Sequence, residues 1–194
     1  MGNEYNSIVK DKDKIKVHMA LAFPDVYEVG MSHLGIKILY HLLNQQEDLF
    51  VERAFSPWVD FEEILRKKNV PLFSLETKTP LKELDFIGFT LQYEMSYTNI
   101  LNMLELSHIP ICSKDRSEDH PFIIAGGPCA FNPEPLADFV DFFVIGEAEE
   151  VIFEIINLYK SHIEKDMDRQ QFLLEASNIS GIYVPSLYDI SYND

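Results

Sequence analysis

The stretch "VHMALAFPDVYEVGMSHLGIKILYHLLN", residues 17–44, carries the pattern that decides the fold. Its first seven residues, Val17 to Phe23, form an apolar run that suits a strand buried on both faces. A polar turn follows, and Ser32 is placed to cap a helix that runs to about Asn44. Helical spacing predicts a core-facing stripe on this helix, formed by Leu34, Ile38, Leu39 and Leu42.

The same alternation of apolar strand and amphipathic helix continues along the chain. Further strands are predicted at 49–55, 84–91, 122–127 and 141–146, and further helices at 56–70, 95–109 and 147–160. In the helix at 56–70, four side chains are expected to face the core: Trp58, Phe61, Ile64 and Leu65. Five buried strands alternating with helices predict an α/β fold. We expect a flavodoxin-like (Rossmann-like) open, mainly parallel sheet with strand order 2-1-3-4-5 and helices on both faces.

Composition limits the domain count and the function classes. A chain of 194 residues suits one domain, which we divide into an N-terminal extension (1–16), the α/β domain (17–162), and a linker and lead-in (163–194). The net charge of −16 disfavours direct binding to nucleic acid or to an anionic membrane. The start of the chain lacks the apolar core of a signal peptide, so we expect a cytoplasmic protein.

The unusual loops all follow predicted strands. They read "PDVYEVG", "LQYEMSYTN", "GGPCAFNPEP" and "GEAEE", and in a parallel sheet they share the edge where ligands bind. The candidate cofactor-binding residues in these loops are Asp25, Tyr27, Gly30, Tyr93, Ser96, Gly126 and Gly127. The alternative is that such loops are polar and glycine-rich in any α/β domain, with the aromatic residues packing at the rim.

The composition of these loops also bears on a phosphate site and on a cation site. The chain has no G-x-G-x-x-G or G-x-x-x-x-G-K motif, so a standard nucleotide-phosphate site is disfavoured. Glu94, Glu134 and Glu147 could converge on a cation, although spacing alone does not show that they do. The paired glycines Gly126 and Gly127 instead predict a surface without side chains, where a bulky ligand can approach the backbone.

Several of these segments together resemble one family. "LAFPDVYEVGMSHLGIKILY", "DFIGFTLQYEMSYTNILNML" and "AGGPCAFNPEPLADFVDFFVIGEAEE" are similar to the N-terminal cobalamin-binding-like domain of radical S-adenosylmethionine (radical SAM) proteins. The resemblance spans roughly residues 17 to 190. It implies a larger enzyme in which a downstream barrel carries three cysteines that hold a [4Fe–4S] cluster and binds S-adenosylmethionine. This chain has only two cysteines, so the barrel is expected beyond it as a partner domain in the same polypeptide.

The resemblance also raises a question about cobalamin itself. Cobalamin-binding domains carry Asp-x-His-x-x-Gly, with the His on cobalt, whereas this chain has Asp25-x-Tyr27-x-x-Gly30. A phenol is neutral at pH 7 and is a poor cobalt ligand beside imidazole. His33, six residues further on, is either a substitute ligand or an ordinary residue of the first helical turn.

Three functions follow from these features. The first is an accessory domain that holds cobalamin, or shapes the active site, for a downstream radical SAM barrel. The second is a degenerate domain of the same fold that serves only structure or interaction. The third is an independent flavodoxin-like binder or enzyme. For the first two, no catalytic residue and no metal ligand is expected in this chain alone.

Overall fold

The centre of the protein is a six-stranded sheet. The computed structural model describes residues 4–189, and its strands lie in the order β2-β1-β3-β4-β5-β6. Their bounds are β1 (Val17–Phe23), β2 (Leu49–Phe55), β3 (Phe86–Thr90), β4 (Phe122–Gly126), β5 (Phe142–Val144) and β6 (Ile182–Tyr183). The first five pair in parallel, and β6 runs antiparallel to β5. The predicted mainly parallel α/β sheet is therefore confirmed, but the count of five strands was wrong by one.

Helices cover both faces of the sheet. They are α1 (Tyr27–Gly30), α2 (Leu34–Leu43), α3 (Val59–Lys68), α4 (Tyr97–Leu106), α5 (Ala148–Lys165) and α6 (Arg169–Ala176). Helices α2, α5 and α6 bury their apolar residues in one core with the facing strands, and α3 and α4 do so in a second core on the other face. Two buried faces explain why the strands read as apolar runs without polar alternation.

The buried faces of two helices differ from those predicted. On α2, Leu34 and Ile38 are exposed, whereas Ile36, Tyr40 and Leu43 are buried. The segment is apolar on nearly every side, so its sequence pattern does not select one stripe. The N-cap is His33, whose Nδ1 accepts a hydrogen bond from the Ile36 amide, and not Ser32.

The second difference concerns α3. Trp58 is 65% exposed because it is the N-cap residue and lies before the first helical turn, so helical spacing does not apply to it. Ile64 is also exposed, and Leu65 is the residue of this helix that is fully buried. The core under α3 therefore depends on fewer side chains than the sequence predicted.

The chain after residue 162 contributes to the core that α2 and α5 cover. Helix α5 continues to Lys165, Phe172 of α6 is completely buried, and β6 extends the sheet. Residues 1–3 of the expected extension and 190–194 of the expected lead-in lie outside the described residues. Within residues 4–189, no helix is both long and apolar enough to cross a membrane.

A buried ionic cluster fixes the amino-terminal side of β4 and β5. Asp141, which is 4% exposed, accepts hydrogen bonds from Arg116 Nη1 and Arg169 Nη2, each at 2.8 Å, and from the Ile123 amide at 2.6 Å. The two guanidinium groups belong to the loop before β4 and to α6. One carboxylate thus connects α6, the sheet and the preceding loop, and removing it would leave two arginines buried without a counterion.

Replacing Asp141 with Ala should therefore lower the free energy of unfolding by about 3–5 kcal/mol. Urea unfolding followed by circular dichroism measures the loss. The matched control is Lys14→Ala, which breaks an exposed Lys14–Asp11 contact of 3.9 Å and should change stability by less than about 0.5 kcal/mol. Equal effects of the two substitutions would contradict this role for Asp141.

An aromatic cluster under α5 and α6 contains one histidine. The His162 ring lies 5.3 Å from Phe172 and 5.4 Å from Tyr159 (ring centroids), and its Nδ1 has no hydrogen-bond partner among residues 4–189. Burial is the main cause that lowers the pKa of His162; Arg169 acts in the same direction, and Glu118, Asp166 and Asp168 oppose it. The neutral imidazole is thus the form that fits this cluster.

This burial predicts a pH dependence of stability. The folded-state pKa of His162 lies below its unfolded value, so its contribution is complete above about pH 6.5 and is lost as the pH falls through the folded-state pKa. His162→Phe should therefore reduce the loss of stability between about pH 6.5 and pH 5. Urea midpoints at several pH values measure the slope, with about pH 8 as the reference because imidazole is then neutral in both states. An unchanged slope would contradict the prediction.

Candidate functional site

A cleft opens at the carboxyl edge of the sheet, on the face covered by α2 and α5. Its volume is about 210 Å³, and it is lined by residues of β1, β3, β4 and β5, by residues along the whole of α2 and by the start of α5. The four loops that the sequence indicated follow β1, β3, β4 and β5, and these strands are parallel, so the loops lie at this one edge. The cleft thus lies where open α/β sheets bind ligands.

Missing side chains create the floor of the cleft. Gly88 is in the middle of β3, yet it is partly exposed, and a Cβ atom there would have no neighbour closer than 3.8 Å. Gly126 ends β4, and a Cβ atom there would meet Val144 of β5 at 3.6 Å. A larger residue at either position would project into space that the cleft occupies. Gly88 was not identified from the sequence, although a lone glycine inside a strand pattern often marks a close approach.

Gly127 allows a close approach between two backbone segments. Its φ of +108° is one that side-chain-bearing residues rarely adopt, and a Cβ atom would lie 3.0 Å from the Leu91 carbonyl oxygen. That same carbonyl accepts a hydrogen bond from the Cys129 amide at 3.1 Å, and the Leu91 amide donates to Gly126 at 2.7 Å. Gly127 therefore lets the loop after β4 pass directly over the end of β3.

A polar bridge connects the loops after β1 and β3 at the rim. Tyr93 donates its hydroxyl proton to Asp25 Oδ2 at 2.9 Å, and Asp25 Oδ1 accepts from the Val26 amide at 2.7 Å. Ser96, which is 2% exposed, donates to the Tyr93 carbonyl at 2.8 Å. The hydrogen bond to Asp25 is the main cause that raises the pKa of Tyr93. Three of the candidate residues thus form a brace across the point where the strand order reverses.

Tyr27 and Gly30 lie outside the cleft. The Tyr27 hydroxyl donates to Glu4 Oε1 at 2.8 Å, and its ring packs edge-on against Phe55 with centroids 5.5 Å apart. Burial and the Glu4 contact raise the pKa of Tyr27, which keeps the phenol neutral. A Cβ atom on Gly30 would lie 2.4 Å from the Phe55 ring, so Gly30 permits this packing. These two residues of the motif fasten α1 to the end of β2 and to the N-terminal segment.

His33 lines the cleft, but its hydrogen bond disfavours metal ligation. The Nδ1 atom accepts from the Ile36 amide at 3.3 Å, so the proton of the neutral ring is on Nε2. Ligation through Nε2 would need that atom deprotonated and Nδ1 protonated, which would break the helix cap. The imidazole therefore presents a hydrogen-bond donor and not a metal ligand.

The mouth of the cleft is acidic. Glu147 and Glu149, at the start of α5, line it and are exposed. Gln92 is also at this edge and donates to the Thr90 hydroxyl at 2.6 Å. Two carboxylates beside a mainly apolar floor repel free polyphosphates, and they accept hydrogen bonds from amide or amine groups.

The proposed cluster of Glu94, Glu134 and Glu147 is not present in the part of the chain that the structure describes. No group of three or more His, Cys, Asp or Glu side chains in residues 4–189 is arranged to hold a metal ion. Glu134 instead accepts a hydrogen bond from the Tyr183 hydroxyl at 2.8 Å, which connects its loop to β6. The expectation that these three glutamates could converge is therefore not met within residues 4–189.

Comparisons with known proteins agree with this architecture. The family described as "Radical SAM proteins, N-terminal" matches residues 35–185, which is more than half of the chain. The uncharacterized protein MJ0966 of Methanocaldococcus jannaschii is 29% identical over 165 residues, which cover 79% of this chain and 31% of that protein. The chain therefore spans less than a third of that relative's length. No solved structure matches the chain significantly.

The different surroundings of Gly127 and Gly88 predict different losses of stability when each is replaced by alanine. Gly127→Ala should lower the free energy of unfolding by about 1–3 kcal/mol, because it combines a strained φ with backbone contact. Gly88→Ala should cost less than about 1 kcal/mol, because the added methyl group would make only ordinary contacts, at 3.8 Å or more. Chemical denaturation of the two variants measures both values, and a larger loss for Gly88→Ala would contradict the assignment of the cleft floor.

Proposed function

We propose a cofactor-holding role for this chain, which belongs to the family of N-terminal domains of radical SAM proteins. In this proposal it is an accessory domain of a larger polypeptide, and its cleft receives the tail of a corrinoid such as cobalamin. The downstream domain, with its [4Fe–4S] cluster and S-adenosylmethionine, is part of the proposal.

The observation that carries the proposal is the glycine floor of the cleft. A flat aromatic base needs a slot between a sheet and its covering helices, and side chains at Gly88 and Gly126 would fill that slot. The volume of about 210 Å³ suits such a base and is too small for a corrin ring. The residues present therefore fit the tail of the cofactor inside the cleft and its ring outside, at the sheet edge.

The groups at the mouth match the outside of a corrinoid. Corrinoid rings are bordered by carboxamides, whose N–H groups would find acceptors in Glu147 and Glu149. His33 Nε2–H would donate to a carbonyl or phosphate oxygen of the tail. The cofactor would supply a cobalt centre at the edge of the sheet. Neither Tyr27 nor His33 is arranged to ligate that cobalt, so the protein would hold the cofactor by shape and hydrogen bonds.

A specific observation favours the structural alternative. The Asp25–Tyr93 brace spans the loops after β1 and β3, and Tyr27 is engaged with Glu4 and Phe55. These contacts complete the rim without a ligand. A domain of this fold that only positions the neighbouring barrel would need the same hydrogen bonds between these loops. The glycine floor, in contrast, would serve no purpose in such a domain.

Titration of the protein with hydroxocobalamin, followed by visible spectroscopy, separates the two functions. Binding is expected, and Gly126→Val should weaken it roughly tenfold or more, because the added methyl groups occupy the slot. Tyr27→Phe is the control: it removes the hydroxyl at the usual ligand position, and it should leave both affinity and spectrum unchanged. The same titrations should be repeated on a longer protein that includes the downstream domain. No binding by either form would leave the structural function.

A further inference from the structure

A second cavity lies away from the cleft, beside the end of β2. It has a volume of about 260 Å³ and shares no lining residue with the cleft. Its walls are the end of β2, the first turn of α3 and the segment 72–78. The Leu75 amide donates to the Arg53 carbonyl at 2.7 Å, which holds this segment along the edge of β2. Most of the lining is apolar, including Phe55, Phe61 and Phe73.

One hydroxyl in the wall of this cavity is not used by the protein's own hydrogen bonds within residues 4–189. Ser56 is 8% exposed, and its amide donates to the Asp25 carbonyl at 2.9 Å. Its side chain lines the cavity and makes no hydrogen bond to any of residues 4–189. This hydroxyl is therefore free to donate a hydrogen bond to a molecule that enters the cavity.

The cationic side chain of Lys78 lies at the mouth of the same cavity. The Lys78 ammonium donates to the Leu75 carbonyl at 2.5 Å and lies 6.0 Å from the centre of the Phe73 ring. Two of its three protons remain for other acceptors. Within residues 4–189 it forms no ion pair, although acidic residues outnumber basic ones by 16 in the whole chain. An anionic group at this position would complete its coordination.

We propose that this cavity binds a small carboxylic acid with an apolar body. The body would lie among the three phenylalanines, the carboxylate would accept hydrogen bonds from Lys78, and the Ser56 hydroxyl would donate to the second carboxylate oxygen or to another polar atom. A cavity of about 260 Å³ lies just below the range for drug-sized ligands, which favours a molecule of fragment size. A single cation suits one carboxylate better than a phosphate chain. This site is independent of the corrinoid proposal.

The probe is 4-phenylbutyrate, and its neutral counterpart is 4-phenylbutanamide. Amide chemical shifts of the 194-residue chain should change around residues 54–57 and 72–78 when the acid is added. The acid should bind more tightly than the amide. Lys78→Gln, which removes the positive charge and keeps a polar side chain, should weaken acid binding about tenfold and should abolish the preference for the acid. Ser56→Ala should weaken it about three- to tenfold.

Lys82→Gln is the matched control, since Lys82 lies outside this cavity, and it should leave acid binding unchanged. Circular dichroism of each variant verifies the fold. Three outcomes overturn the proposal: no shift changes with the acid, shift changes confined to other residues, or equal affinity for acid and amide in the unmodified chain.

Discussion

Parallel pairing of β1, β3 and β4 is the constraint on which the rest of the structure depends. Strands that run in the same direction must be joined by crossover connections, and here the packed helices bury both faces of the sheet while all following loops meet at one edge. The register then sets Gly88 beside Leu21, and Gly126 beside Thr90. Two positions without side chains therefore fall near the reversal of strand order, and the cleft follows from that placement.

A cleft in a core carries a cost, because the atoms that line it lose packing contacts. Contacts elsewhere offset this cost. Asp141 with its two arginines and the aromatic cluster around Phe172 hold α5 and α6 against the sheet. Tyr27, Gly30 and Phe55 fasten the turn after β1. The residues that hold the helices against the sheet are thus distinct from the glycines that leave the space, which is the arrangement expected of a built binding site.

The sequence predicted the fold class because apolar runs alternate with amphipathic helices over most of the chain. Strand β6 could not be predicted, since a strand of two residues has no periodic pattern. Trp58 was wrongly predicted to face the core, because it precedes α3 and the helical spacing therefore does not apply to it. The loops that form the rim were predicted from the sequence. That Gly30 permits close packing, whereas Gly126 leaves open space, depends on neighbours far away in the chain. The pairing of Tyr27 with Glu4 and the place of Ser56 in the wall of the second cavity also arise only from tertiary contacts.

The central claim is that the cleft holds the tail of a corrinoid while no protein side chain ligates its cobalt. Electron paramagnetic resonance of cob(II)alamin bound to the protein tests it most directly, because an axial nitrogen ligand splits the cobalt signal into triplets. With the tail in the cleft, and with Tyr27 and His33 engaged elsewhere, we expect a bound spectrum without nitrogen splitting. A bound spectrum with nitrogen triplets would contradict the account, since it would mean that either an imidazole or the cofactor's own base remains on cobalt.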